Sequence, residues 1–315
     1  MVPRSSAQNS LNLTRPEGSP PQDFHLSRRG IAGLMFSGYA TYALAAEAQP
    51  IHTDETGLIT DNITIPEGAE SLPAYVARPA GKGRYPAIIV VSEVFGIHDY
   101  IRDICRRLAK LGYVAIAPAF FFRADPTNVL AQTNDFALIQ KIVATAHNDQ
   151  VMGDVGATLT WLQDQPFVDK KRLAVTGYCW GGAVVWMSVD RYPALKAGIA
   201  WYGRLSPPAP GQFMSDDNRK WPLELTSELH TPVLGLYGGL DKGIPSEDIE
   251  KMRAQLKAAG QTDDQLIVYP DAQHGFHADY RSSYNKAAAE DGWARMLAFL
   301  KAEHVEPGVH HGLFG

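Results

Sequence analysis

Residues Ala87–Ser92 read Ala-Ile-Ile-Val-Val-Ser, six positions with no charge and no alternation of polar and apolar side chains. A strand that presents apolar groups on both faces has to be covered on both, which is the situation of a central strand in a parallel sheet. The flanking sequence supplies the covers. Asp99–Leu111 carries Ile101, Ile104, Leu108 and Leu111 at helical spacing, and Gly112 closes it. Tyr113–Pro118 is the next short apolar strand, and more are expected at Arg172–Gly177, Ala197–Tyr202, Pro232–Tyr237 and Gln265–Tyr269. Helices fit Gly181–Asp190, Ser246–Ala259 and Tyr284–Glu303, and a long, mostly helical stretch runs from Asn128 to Gln165. A hairpin of Ile59–Ile65 and Leu72–Arg78, joined through Pro66–Ser71, precedes them. This alternation predicts an α/β fold, with a mostly parallel central sheet flanked by helices on both faces.

The first 48 residues do not follow that pattern. Residues 1–26 are rich in Pro, Ser, Asn and Gln; Ser27-Arg28-Arg29-Gly30 then leads into the uncharged run Ile31–Ala46. That run has 16 residues, where a membrane span needs roughly 20. Paired arginines ahead of a weakly apolar core resemble a twin-arginine export signal. Ala43-Leu44-Ala45 and Ala46-Glu47-Ala48 both read as cleavage sites. An amphipathic or an uncleaved N-terminal anchor is the alternative. The expected organisation is a tail and export signal over 1–48, one α/β domain over 49–305, and a flexible tail over 306–315. The protein would then be periplasmic or secreted, with no stable membrane anchor after cleavage, or cytoplasmic if the signal is not used.

In parallel sheets the functional groups gather in loops at the carboxyl ends of strands, and three motifs fall there. Gly177-Tyr178-Cys179-Trp180-Gly181-Gly182 follows a strand and precedes a helix, forming a nucleophile elbow with cysteine in the serine position. The helix start beside it favours a thiolate. Asp241 follows the strand Pro232–Tyr237, and His274 follows Gln265–Tyr269, so nucleophile, acid and histidine occur in the order this chemistry uses. Imidazole titrates near neutrality and can act as base, with the aspartate fixing its orientation. Glu93 directly follows the buried strand, where a carboxylate is costly without a partner. The backbone N–H groups of Val94 and Trp180 are the candidate oxyanion hole.

Glu93-Val94-Phe95-Gly96, the Cys179 elbow, the Asp241 turn and His274-Gly275-Phe276 together resemble the dienelactone hydrolase family, over about Leu58 to Glu303. The resemblance implies the α/β-hydrolase fold, a Cys–His–Asp triad and hydrolysis of enol-lactones. It implies that Cys179 attacks the lactone carbonyl, that His274 handles protons and that Asp241 orients His274. Glu93 would contact the resting thiol and help to deprotonate it. Arg123, after Phe120-Phe121-Phe122, matches the family arginine that grips a substrate carboxylate, a task suited to a bidentate fork. Tyr202 and Arg281 are further candidates for substrate contact. The chain departs from the family at Ala278, where the dienelactone-specific members carry a second arginine. Arg204–Glu228, with four prolines, is expected to form a lid or pocket wall.

Other signals are expected to be structural. Cys105 reads as a core residue, though a bridge to Cys179 would sequester the nucleophile. His274, His277 and Asp279 lack a further ligand cluster, so no metal is expected, and no cofactor is implied. His304, His310 and His311 read as solvated, Trp186 as core, and Trp180 as bordering the pocket. A net charge of −5 excludes the basic surface of a nucleic-acid binder. The expected partner is a small lactone or ester. The alternatives are a carboxylesterase or thioesterase using the same residues, and a secreted ligand-binding homologue without turnover. A thiol redox role is weaker, because no C-x-x-C accompanies Cys179.

Overall fold

The run predicted as a central strand lies in the middle of an eight-stranded sheet, in a computed structural model that describes residues 50–307 apart from 211, 213–219, 228 and 262–265. The strands are β1 (Leu58–Glu67), β2 (Glu70–Pro79), β3 (Tyr85–Val91), β4 (Val114–Pro118), β5 (Val168–Tyr178), β6 (Leu195–Trp201), β7 (Val233–Gly238) and β8 (Leu266–Tyr269). Their spatial order is β1-β2-β4-β3-β5-β6-β7-β8. β1 and β2 form an antiparallel hairpin, β2 runs antiparallel to β4, and every pairing from β4 to β8 is parallel. This is the mostly parallel sheet of an α/β-hydrolase fold. All seven residues of β3 are buried, and a fully buried Ile or Val is worth roughly 1.5–3 kcal/mol relative to an exposed one.

The connecting helices are α1 (Asp99–Lys110), α2 (Phe136–Val143), α3 (Asn148–Asp164), α4 (Trp180–Arg191), the single turn α5 (Pro222–Leu225), α6 (Ser246–Ala258) and α7 (Lys286–Ala302). The stretch expected to be mostly continuous helix from Asn128 to Gln165 is broken into a 3-10 turn at Val129–Ala131, then α2 and α3. The breaks have local causes. Asp135 caps α2 by accepting from the N–H groups of Ala137 and Leu138, and the Thr145 hydroxyl bonds back to the Ile142 carbonyl where α2 ends.

Two chain ends of the domain are tied down. The Ile51 N–H donates to Asp279 Oδ1 at 3.3 Å and the Thr53 N–H to Asp103 Oδ1 at 2.6 Å. Arg107 links the same two carboxylates, donating to both Asp103 and Asp279. At the other end, Glu306 was expected to open the flexible tail, but its carbonyl accepts from Arg172 Nη1 at 2.6 Å. The ordered domain therefore continues past 305. The proposed export segment and residues 308–315 lie outside the described residues.

Candidate active site

Cys179 occupies the turn between β5 and α4 with φ 57° and ψ −114°. A non-glycine residue held there stores of order 1–3 kcal/mol of backbone strain. The turn closes because its flanks have no side chains: a Cβ on Gly177 would lie 2.2 Å from the Gly181 carbonyl oxygen, and one on Gly181 2.4 Å from that of Val91. The Cys179 N–H donates to the Trp201 carbonyl at the end of β6, at 3.0 Å. Only 2% of the residue is exposed.

Asp241 and His274 come from the loops after β7 and β8, adjacent in the sheet. Asp241 Oδ1 accepts from the Gly243 N–H at 2.8 Å, and Oδ2 lies 2.7 Å from His274 Nδ1. Burial alone would lower the His274 pKa. The negative charges of Asp241 and of Cys179 in its thiolate form, with hydrogen bonds from both residues, override burial and raise it to about 10. The imidazole thus lies between a carboxylate and a thiol. Tyr202, at φ 40°, sets its ring 5.2 Å from that of His274.

Glu93 is wholly buried. Its Oε2 is held by His98 Nε2 at 3.0 Å and accepts from the Tyr280 hydroxyl at 2.7 Å, while Arg281 Nη2 stands 4.0 Å from Oε1. Burial opposes ionisation, but the Arg281 charge and the His98 and Tyr280 contacts lower the Glu93 pKa to about 2. Oε1 has no hydrogen-bond partner among the described residues. No hydrogen bond joins Glu93 to the Cys179 thiol among the described residues, since His98 and Tyr280 hold Oε2 and Oε1 is unpaired. Arg281 crosses this cluster, 4.9 Å over the Phe95 ring and within electrostatic range of both Glu93 and Cys179. His98 and Tyr280 were missed in the sequence. The buried carboxylate was the signal, since it required partners.

Val94 and Trp180 follow neighbouring strands whose register pairs Val91 with Gly177. Trp180 packs its ring 4.8 Å from Phe121. Trp186 is in the core, as expected, and both cysteines are free, Cys105 being buried on α1 with burial pushing its thiol up to about 12. His277 and Asp279 turn away from His274. His277 Nδ1 meets the Tyr100 hydroxyl at 2.6 Å and its ring lies between Trp201 and Trp293. Within Arg204–Glu228, Arg204 Nη1 donates to the Gly243 carbonyl at 2.6 Å, so the segment begins against the Asp241 loop.

The expectation for Arg123 is corrected. Its guanidinium donates to Glu67 at 2.9 Å, Glu70 at 2.6 Å and both oxygens of Asp154 at 3.0 and 3.1 Å. It locks the hairpin turn to α3, with four of its five N–H groups committed to these three carboxylates. Asp154 is fully buried. Burial, with the hydrogen bond and charge of Glu67, raises its pKa to about 8 against the pull of Arg123. The folded protein therefore binds a proton that the unfolded chain has lost above about pH 4, and stability falls as pH rises from there to about 8. Asp154→Asn is expected to flatten the decline in melting temperature between pH 5 and 8.5 in thermal scans. An unchanged slope would show that Asp154 does not hold that proton.

The sequence model of the Dienelactone hydrolase family matches residues 72–304. The chain belongs to the dienelactone hydrolase family. It is 43% identical over 281 residues to the "Putative carboxymethylenebutenolidase" of Methylorubrum extorquens, covering 88% of this chain and 93% of that one. It is 30% identical to the "Probable 2-oxo-3-(5-oxofuran-2-ylidene)propanoate lactonase" of a Bradyrhizobium species, over 76% of this chain and 93% of the relative. The crystal structure of a "Putative Dienelactone Hydrolase" from Klebsiella pneumoniae superposes with a TM-score of 0.70 at 40% identity, covering 78% of this chain and 98% of that one. The chain is thus a dienelactone hydrolase-like hydrolase.

Proposed function

We propose that this member of the dienelactone hydrolase family opens a lactone, or cleaves a carboxylic ester, through an acyl-enzyme on Cys179. The observation that carries the reading is the buried His274–Asp241 pair at 2.7 Å, set within electrostatic range of the strained elbow cysteine. The Cys179 thiol gives its proton to His274 as the sulfur attacks the acyl carbonyl, forming an S–C bond while the carbonyl electrons move onto oxygen. The Val94 and Trp180 N–H groups receive that oxygen. Collapse breaks the C–O bond, and the leaving oxygen takes the proton of the His274 imidazolium; in a lactone it stays attached to the far end of the acyl chain. Water then attacks the thioester while His274 takes its proton, and the thiolate leaves.

Arg281, within electrostatic range of Cys179, is the cation a substrate carboxylate would meet, and Tyr202 backs the His274 ring. The Bradyrhizobium relative's name, that of a furanone-type lactonase, favours a lactone over an open ester. Export through residues 1–48, placing the enzyme in the periplasm or outside the cell, belongs to the same proposal. The test is steady-state hydrolysis of dienelactone, p-nitrophenyl acetate and an acyl thioester. A kcat/KM for dienelactone at least about tenfold above the other two is expected. Turnover of the aryl ester alone would replace the lactone reading with a general esterase, and thioester preference with a thioesterase. Turnover of none of the three would favour a ligand-binding homologue.

A further inference from the structure

Away from Cys179, the structure has a half-open hollow of about 130 Å³, between the β1–β2 hairpin and the loops that follow β3 and β4. Its walls are largely apolar, with Ile63, Pro73, Phe121 and Phe122 prominent. A cavity of about 150 Å³ lined this way holds one benzene ring. One cation faces it. Arg102 Nη1 donates to Asn62 Oδ1 at 2.9 Å and the guanidinium lies 4.6 Å over the Tyr75 ring, with no carboxylate paired to it among the described residues. Asp125 also lines the hollow, but both of its oxygens are occupied by the backbone N–H groups of Val129 and Leu130, at 2.6 and 2.8 Å. Asp125 keeps its negative charge but is turned onto those two N–H groups, and Arg102 is the cation that lines the apolar slot.

The walls are shared with the reaction centre. Gly96 and Ile97 line the hollow two and three residues after Val94, and the Ile97 carbonyl is pinned by Asn128 Nδ2 at 3.0 Å. Phe121 presents one side to the hollow and packs against the Trp180 ring on the other. The loop that carries Val94 and the ring packed on Trp180 therefore both border this hollow.

We propose that the hollow is a second ligand site, separate from the Cys179 cleft, which takes a small aromatic monocarboxylate with its anion on Arg102. Its binding is independent of the hydrolase reading; only its effect on turnover rests on that reading. A ring seated against Gly96 and Phe121 changes the seats of Val94 and Trp180, so it acts on kcat and leaves KM nearly unaltered.

Benzoate is the probe and benzamide its uncharged counterpart, titrated calorimetrically into the full chain and into the Arg102→Gln and Ala119→Leu variants. Ala119 also lines the hollow, and the added bulk fills it. Benzoate is expected to bind at least about tenfold more tightly than benzamide, to lose that advantage in Arg102→Gln, and to lose binding in Ala119→Leu. Calorimetry reads this even if no ester is turned over. Where turnover is measurable, benzoate is expected to lower kcat. Absence of heat in the wild type would overturn the proposal. So would binding that Arg102→Gln leaves intact, or inhibition that raises KM alone, which would put benzoate in the catalytic cleft.

Discussion

Cys179→Ala is expected to lower kcat on any lactone or ester substrate by about 10⁵-fold, comparable to the loss when a hydrolytic nucleophile is removed elsewhere. The elbow positions one nucleophilic atom, and the oxyanion donors and binding contacts retain only the residual catalysis they provide without it. The variant should still fold. Cys179 is a small buried side chain, and replacing its thiol with a methyl hydrogen leaves a small void worth about 1 kcal/mol. A denaturation midpoint lowered only slightly, beside abolished turnover, is therefore the expected pair of results. Retention of more than about a tenth of wild-type kcat would remove the thiol from the mechanism and make the acyl-enzyme reading untenable.

Gly181→Ala is expected to cost more than about 4 kcal/mol, enough to prevent accumulation of folded protein in many domains. The new Cβ would lie 2.4 Å from the Val91 carbonyl oxygen and 2.7 Å from that of Ser92. These are backbone atoms of the central strand and its exit, which cannot swing aside as a flexible side chain would. Relief would require α4 to lift from β3, breaking the layer that carries the elbow. Gly68→Ala at the hairpin turn is the contrast: nothing lies within 4 Å of its Cβ, and only its φ of +57° penalises the change, by about 1 kcal/mol. Chemical denaturation of the two variants separates a packing collision from a conformational cost. Equal, small losses would mean that the elbow is looser than its geometry implies.

The sheet was readable because apolar runs such as Ala87–Ser92 admit one environment, and the elbow because a cysteine between such glycines after a strand has few other reasons to exist. The order Cys179, Asp241, His274 was visible for the same reason, each residue following its own strand. What escaped was set by contacts between distant residues. Arg123 looked available in sequence, yet its partners come from the β1–β2 turn and from α3, 31 to 56 residues away. The clamp on Glu93 joins His98, five residues on, to Tyr280, 187 residues away. Periodicity carries no record of such meetings. The division of Asn128–Gln165 could have been anticipated at Asp135, since a helix-capping side chain inside an apparently continuous helical stretch marks a start.

The Arg107 junction has a consequence for processing. Asp279 lies five residues after His274 and holds the Ile51 N–H, while Asp103 holds that of Thr53, and Arg107 joins the two carboxylates. The first strand-free residues of the domain and the histidine loop are therefore one mechanical piece. A cut after Ala45 or Ala48 spares it. A cut only a few residues further on would release the staple and loosen the loop that carries His274, so a proposed maturation point and the seat of that imidazole would answer to the same pair of aspartates.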